Sequence, residues 1–99
     1  MNATVKIVKK ETFHKMSLSA KFPSGAQLKF SICNEPFDEL LELAFSNDAE
    51  ILKSQMKIMK KFLEPKNNEN NQQRFSRLEN TLIGCKSGNE VIQKISQLI

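Results

Sequence analysis

Two runs of alternating residues around a short turn constrain the fold of this chain more than any other feature. Apolar residues occupy every second position of residues 16–22 and again of residues 26–32, and the residues between them, 23–25, are Pro-Ser-Gly. Alternation with a period of two predicts β-strands, and this turn suits a three-residue hairpin loop. Such a loop pairs Phe22 with Ala26 and places every apolar residue on one face. The next pairs are then Ala20 with Leu28, Leu18 with Phe30, and Met16 with Ile32.

The other face of the predicted hairpin is polar and basic. A further strand at about Thr4–Lys10 is expected to join it and complete a β-meander over residues 1–34. Lysines contact phosphate and hydroxyl groups can donate to it, so the lysines of this face are candidate binding residues. The face carries Lys15, Ser17, Ser19, Lys21, Gln27, Lys29 and Ser31.

Residues 35–63 are predicted to form a helical hairpin. Its first helix is expected to begin at Asn34, because asparagine is a favoured N-cap and Pro36 is tolerated in the first turn. The second helix is expected to begin with a capping box between Asn47 and Glu50. The buried stripe of the first helix consists of Phe37, Leu40, Leu41, Ala44 and Phe45, and its acidic side of Asp38, Glu39 and Glu42.

The rest of the chain is predicted to be a polar linker, residues 64–72, followed by a helix pair, residues 73–99. One helix of the pair lies near Gln72–Ile83, and a second capping box at Ser87 begins the other. The prediction is therefore a single α+β domain over residues 1–99. A small antiparallel sheet of three strands is expected, with about four helices packed on one face.

Composition excludes several classes of protein. The N-terminal residues lack the apolar segment of a signal peptide, and no apolar run approaches the roughly 20 residues of a membrane span. The two cysteines, Cys33 and Cys85, do not make a disulfide framework. We expect a cytoplasmic protein with reduced thiols and no membrane association.

Catalytic and metal-binding patterns are missing from the sequence. The single histidine, His14, falls on the apolar face of the predicted hairpin, whereas Cys33 falls on the other, so they cannot form a nucleophile–base pair. No cysteine or histidine spacing fits zinc, and no glycine-rich loop fits a phosphate. The prediction is a protein that is not an enzyme and has no cofactor or metal.

Charge is segregated along the chain, although the net charge is only +4. Six lysines and one acid give residues 1–34 a net +5, and six acids give residues 35–52 a net −6. Seven basic and two acidic residues give residues 53–77 a net +5. Either the basic helix faces the acidic one inside the molecule, or both face partners. The candidate basic residues are Lys53, Lys57, Lys60, Lys61, Arg74 and Arg77; the candidate acidic docking face is Asp38, Glu39 and Glu42.

Two functions fit these observations. The first is a protein-binding adaptor or inhibitor, of the kind that a phage or other mobile element encodes against host machinery, because chemistry is lacking and charged faces suit docking. The alternative is nucleic-acid binding without sequence preference, through the lysine-rich faces of sheet and helix. Thirteen lysines against two arginines and a sheet face without aromatics count against the alternative. A homodimer joined by acidic and basic patches is compatible with either function.

Overall fold

The computed structural model describes residues 4–99, which form four strands and three helices. They are β1 (Lys6–Glu11), β2 (Lys15–Lys21), β3 (Gln27–Asn34), β4 (Phe37–Ala44), α1 (Ala49–Leu63), α2 (Asn71–Leu82) and α3 (Gly88–Leu98). The strands form one antiparallel sheet in the order β1-β2-β3-β4. The predicted α+β class and antiparallel sheet are confirmed, but the described chain has one more strand and one fewer helix than predicted.

The central hairpin has the register that its alternation predicts. Leu18 lies opposite Phe30 and Ala20 lies opposite Leu28. The backbone N–H of Phe22 donates to the carbonyl of Ala26 at 2.9 Å and closes the loop. Gly25 has a φ of +94°, the left-handed conformation that glycine adopts without a steric cost.

The prediction of a helix that begins at Asn34 is wrong, because residues 37–44 form the strand β4. Glu35 and Pro36, joined by a cis peptide bond, connect β3 to β4, and every residue of β4 then pairs with β3. Leucine, glutamate and alanine favour helices, and the apolar spacing of this segment also fits a helical period. The backbone groups on the free side of β3 need partners, however, and β4 supplies them.

Side-chain caps define where the helices begin. At α1 the cap is Asp48 rather than Asn47, and its Oδ1 accepts from the N–H groups of Glu50 at 2.9 Å and Ile51 at 3.2 Å. α2 begins with a capping box between Asn70, which was predicted to lie in the linker, and Gln73. The predicted box at α3 is half present. The Ser87 hydroxyl accepts from the Glu90 N–H, but the Glu90 carboxylate accepts from the N–H of Lys86.

The core lies between one face of the sheet and the three helices. Phe30 of β3 stacks on Phe75 of α2 with ring centroids 5.0 Å apart, and both side chains are buried. Near the other end of the sheet, Phe45 meets Phe22 edge to face at 5.7 Å. The buried apolar residues are Leu18, Ala20, Phe22, Ala26, Leu28, Phe30, Ile32, Leu43, Met59, Phe62, Leu63, Phe75, Leu78, Leu82, Cys85, Val91 and Ile95.

No helix among residues 4–99 covers the opposite face of the sheet, and we call it the open face. Most of its side chains are exposed, and Ser31, flanked by its neighbours in the middle of the face, is the buried exception. The open face consists of Lys6, Val8, Lys10, Lys15, Ser17, Ser19, Lys21, Gln27, Lys29, Ser31, Cys33, Asp38, Leu40, Glu42 and Ala44.

Candidate functional site

Arg74 joins three elements at one corner of the molecule. Its Nε and Nη2 atoms donate to the carbonyl of Leu63, at 3.0 and 2.7 Å, at the C-terminal end of α1. Its Nη1 and Nη2 atoms also donate to the two carboxylate oxygens of Glu39 on β4, at 2.6 and 3.2 Å. Arg74 is only 2% exposed. The guanidinium therefore neutralises an acid and satisfies a helix-terminal carbonyl, and it presents almost no surface to a phosphate.

Arg77 makes a similar set of contacts one turn further along α2. It donates to the carbonyl of Phe62 at 2.5 Å and forms two 2.8 Å hydrogen bonds with the carboxylate of Glu69. The guanidinium is the main cause that lowers the pKa of Glu69 from its ordinary value of 4.5 to about 2, and the N–H of Lys66 contributes to this shift against the opposing effect of burial. Both arginines thus hold the junction between α1 and α2 in place.

A cleft of about 310 Å³ opens beside this corner, between β4 and the α1–α2 junction. Four of its lining residues are apolar, and Lys60 and Glu64 bring charged side chains to it. We call it the β4 cleft. Its lining residues are Phe30, Glu39, Leu41, Lys60, Leu63, Glu64, Pro65 and Arg74.

Two exposed phenylalanines lie at the end of the sheet nearest to the β4 cleft. Phe37 is 67% exposed and shares the helix-facing side of β4 with Glu39, two residues away. Phe13, in the loop between β1 and β2, is 89% exposed and meets His14 edge to face at 4.9 Å. The two loops lie side by side, since the N–H of Asn34 donates to the carbonyl of His14 at 2.8 Å. The two exposed aromatic side chains add apolar surface near the cleft at this end of the sheet.

The predicted lysines fall on two separate surfaces. Lys15, Lys21 and Lys29 lie on the open face, where Lys6 and Lys10 of β1 join them. The four α1 lysines are exposed on the helix instead, and none lies within ion-pair distance of a carboxylate among residues 4–99. Of these four, Lys60 lines the β4 cleft. The four α1 residues are Lys53, Lys57, Lys60 and Lys61.

The predicted acidic docking face does not exist as one surface, because it was assigned to a helix and lies on a strand. Alternation places Asp38 and Glu42 on the open face and Glu39 on the helix-facing side. Glu42 lies opposite Lys29 of β3. The acids are therefore divided between the open face and the Arg74 corner.

The exposure of Phe37 and the β4 cleft were not predicted from the sequence. The helical period places Phe37 in a buried stripe, whereas on β4 it is exposed. The signal that was present is the alternative period of two in residues 37–45, in which Phe37, Leu41 and Phe45 share a face with Glu39. A carboxylate on the helix-facing side of a strand requires a cationic partner, but the sequence does not show which of the fifteen basic residues supplies it.

His14 and Cys33 lie on different sides of the sheet, as the predicted register requires, since His14 is level with Asn34 and Cys33 pairs with Lys15. Within residues 4–99, no group of three or more histidine, cysteine and acidic side chains is arranged to hold a metal ion. In the same part of the chain, no helix has the length and apolar character needed to cross a membrane.

Comparison of the chain with protein-family models, with curated proteins and with solved structures found no significant match.

Proposed function

We propose that this protein is a non-enzymatic binding module, an adaptor or inhibitor, that docks a protein partner at the β4 cleft and the adjoining Phe37. The observation that carries the proposal is the cleft of about 310 Å³ beside a phenylalanine that is 67% exposed. Large apolar side chains that remain exposed next to a concave apolar surface are typical of protein interfaces.

The walls of the β4 cleft favour an apolar side chain as the inserted group. Phe30, Leu41, Leu63 and Pro65 supply these walls, and the one buried charge, Arg74, is already neutralised by Glu39. An inserted side chain therefore leaves no buried charge unpaired. A cleft of this volume is at the lower end of the range for ligand sites, so it fits a side chain or a small group.

The surroundings of the cleft favour a macromolecule over a free small ligand. Phe37 lies outside the cleft, along the same strand face, and a molecule that filled only the cleft would leave it exposed. A partner that inserts one side chain and covers Phe37 removes both apolar surfaces from water. Lys60 and Glu64 then remain near the rim to meet polar groups of the partner.

Affinity capture with the full chain from its source cell tests the proposal. We expect a stoichiometric protein that Phe37→Ala weakens by roughly 30-fold, as truncation of an interface hot spot does. The matched control is Ile83→Ala, since Ile83 is similarly exposed, at 54%, but lies at the other end of α2 from Arg74. Recovery of nucleic acid without a stoichiometric protein contradicts the proposal, as does equal loss with both variants.

A second candidate function, nucleic-acid binding, is favoured by the lysines of the open face. Five of them lie on one uncovered surface among serines, an arrangement that suits phosphate contacts. Phe37, however, is on the other side of the sheet, so it does not offer the lysine face a platform on which bases stack. The five lysines are Lys6, Lys10, Lys15, Lys21 and Lys29.

Titration with single- and double-stranded nucleic acid at several salt concentrations tests this candidate. Binding through phosphates weakens steeply as salt rises, and Lys21→Glu combined with Lys29→Glu should abolish it. Lys53→Glu combined with Lys57→Glu makes the same change of charge on α1 and controls for net charge. A flat titration of the unchanged protein at low salt eliminates the candidate.

A further inference from the structure

Among residues 4–99 no further strand pairs with β1 or β4, so both are free edges of the sheet, and their side chains are complementary. On the open face β1 carries Lys6, Val8 and Lys10, and β4 carries Asp38, Leu40 and Glu42. Each edge thus has two like charges around one apolar residue, with opposite signs on the two edges. Val8 is 54% exposed and Leu40 is 48% exposed. A free edge also presents unpaired backbone N–H and C=O groups to any strand that matches it.

The directions of the two edges allow them to meet in successive copies of the chain. Because β1 to β4 alternate in direction, β4 runs opposite to β1. A second copy placed in the same orientation beside β4 therefore brings its β1 alongside as an antiparallel neighbour. In both strands the even-numbered residues lie on the open face and the odd-numbered residues on the helix-facing side. Pairs of two even or two odd residues therefore keep the open faces of both copies on one side.

One register makes the two edges complementary at nearly every position. It places Lys6 opposite Glu42, Val8 opposite Leu40 and Lys10 opposite Asp38. On the helix-facing side the same register sets Ile7 opposite Leu41, and both are partly buried. It also sets Lys9 opposite Glu39, although these two already pair with Glu79 and Arg74 within their own copies. Glu11 opposite Phe37 is the only position without complementary character.

The neighbouring registers lack this complementarity. A shift of two residues in one direction places Val8 opposite Glu42 and the carboxylates of Glu11 and Glu39 opposite each other. A shift in the other direction places Val8 opposite Asp38 and Lys10 opposite Pro36, which has no backbone N–H to donate. Opposite charges directly across a strand pair stabilise it and like charges destabilise it, so a single register is selected.

We propose that copies of this chain associate head to tail, with β1 of one copy pairing with β4 of the next so that Lys6, Val8 and Lys10 meet Glu42, Leu40 and Asp38. The sheet then continues from copy to copy. Each copy is shifted along the strand direction by two residues, about 7 Å, relative to a row that runs straight across the sheet. Six residue pairs make a small interface, so the association is weak and concentration-dependent. On the helix-facing side it brings Ile7, Lys9 and Glu11 of the neighbouring copy beside Leu41, Glu39 and Phe37, so the association and the protein partner proposed above use adjoining surfaces of β4.

Sedimentation equilibrium of the full chain at low salt, from about 10 μM to about 1 mM, tests this association. The average mass should rise above that of a monomer across this range and fall again when salt is added, since the charges are exposed. Two charge-reversed variants then test the register: Lys6→Glu with Lys10→Glu, and Asp38→Lys with Glu42→Lys. Each alone should associate at least tenfold more weakly, because like charges now face each other.

Mixing the two variants provides the decisive result. In the mixture, the acidic β1 of one variant meets the basic β4 of the other, and association should return to the level of the unchanged protein. Lys53→Glu with Lys57→Glu changes the net charge by the same amount as the β1 variant and should leave association unaltered. A protein that stays monomeric over the whole range overturns the proposal, and so does a mixture that fails to restore association.

Discussion

Arg74 donates to both carboxylate oxygens of Glu39, at 2.6 and 3.2 Å, although 35 residues separate them in the chain. Glu39 is the single charged residue on the helix-facing side of β4, between Phe37 and Leu41. The same guanidinium holds the carbonyl of Leu63 at the end of α1. The pair therefore allows an acid on the core side of the sheet and connects β4 to both helices.

Substitution of Arg74 should destabilise the fold strongly. Arg74→Ala leaves the Leu63 carbonyl and the Glu39 carboxylate without their donor, so we expect a loss of about 3 kcal/mol in the free energy of unfolding. Glu39→Gln keeps one acceptor for Arg74, and the Glu39 side chain is one-third exposed in the unchanged protein. We therefore expect this variant to lose only about 1 kcal/mol in the free energy of unfolding. Urea denaturation measures both. Lys57→Ala is the matched surface control, and an Arg74→Ala effect as small as the control contradicts the structure.

Stability should depend on pH through Glu69. Its pKa in the folded protein, about 2, is below the ordinary value of 4.5, chiefly because Arg77 donates to it. A carboxyl group with a lowered pKa stabilises the fold above pH 4.5, and this contribution is lost as the pH falls from 4.5 towards 2. Glu69→Gln should therefore unfold more readily than the unchanged protein at pH 7, and the difference should close near pH 2. A constant difference across this range contradicts the prediction.

A side chain at Gly88 should destabilise the fold while Phe45 is present. A Cβ atom at Gly88 would lie 2.5 Å from Cγ and 2.6 Å from Cβ of Phe45, far inside van der Waals contact. Gly88→Ala is expected to cost about 1–3 kcal/mol in the free energy of unfolding. In a Phe45→Ala background the same substitution should cost much less, which a double-mutant cycle measures. Additive effects of the two substitutions would show that the close approach is relieved in another way.

The two thiols should differ sharply in reactivity. Cys85 is buried, its Sγ donates to the carbonyl of Thr81 at 3.4 Å, and burial raises the pKa of its thiol. Cys33 is partly exposed on the open face. A thiol reagent such as Ellman's should therefore modify Cys33 in the native protein and Cys85 only after unfolding. The single-cysteine variants Cys33→Ser and Cys85→Ser assign the two rates, and rapid native modification of Cys85 contradicts the prediction.

Gln55 offers a stabilising substitution. It lies on the buried side of α1, 5% exposed, and its Oε1 has no hydrogen-bond donor among residues 4–99. A buried acceptor without a donor costs free energy, which an apolar side chain of similar size does not. Gln55→Met should raise the free energy of unfolding by about 1 kcal/mol. A loss of stability would show that the amide is satisfied in solution, for example by an ordered water.

The central hairpin could be predicted from sequence because pattern and turn agree. Alternation on both sides of Pro23-Ser24-Gly25 leaves one register that gathers the apolar side chains, and β2 and β3 adopt it. β4 could not be predicted in the same way. Its leucines, glutamates and alanine favour a helix locally, and they compete with the period of two in residues 37–45. The need of β3 for an edge partner decides between the two, and it is a tertiary effect.

Single residues of the candidate site could be predicted from the sequence, but their arrangement could not. Lys60 and Glu39 were both identified from charge, but their shared cleft depends on where β4 and the α1–α2 junction meet. Arg74 was assigned to a basic surface because a long cationic side chain on a polar helix is usually exposed. Its burial follows from two acceptors, on Glu39 and Leu63, that come together only in the folded chain.

Charge is distributed unevenly across the open face, which is positive over β1 to β3 and negative at β4. Five lysines lie on the first three strands, whereas both carboxylates of that face, Asp38 and Glu42, lie on β4. A charged molecule that approaches from solution is turned by this field before any contact forms, so collisions begin in a preferred orientation. Encounters with an acidic partner should therefore start at the β1 side of the sheet, at a rate that salt reduces.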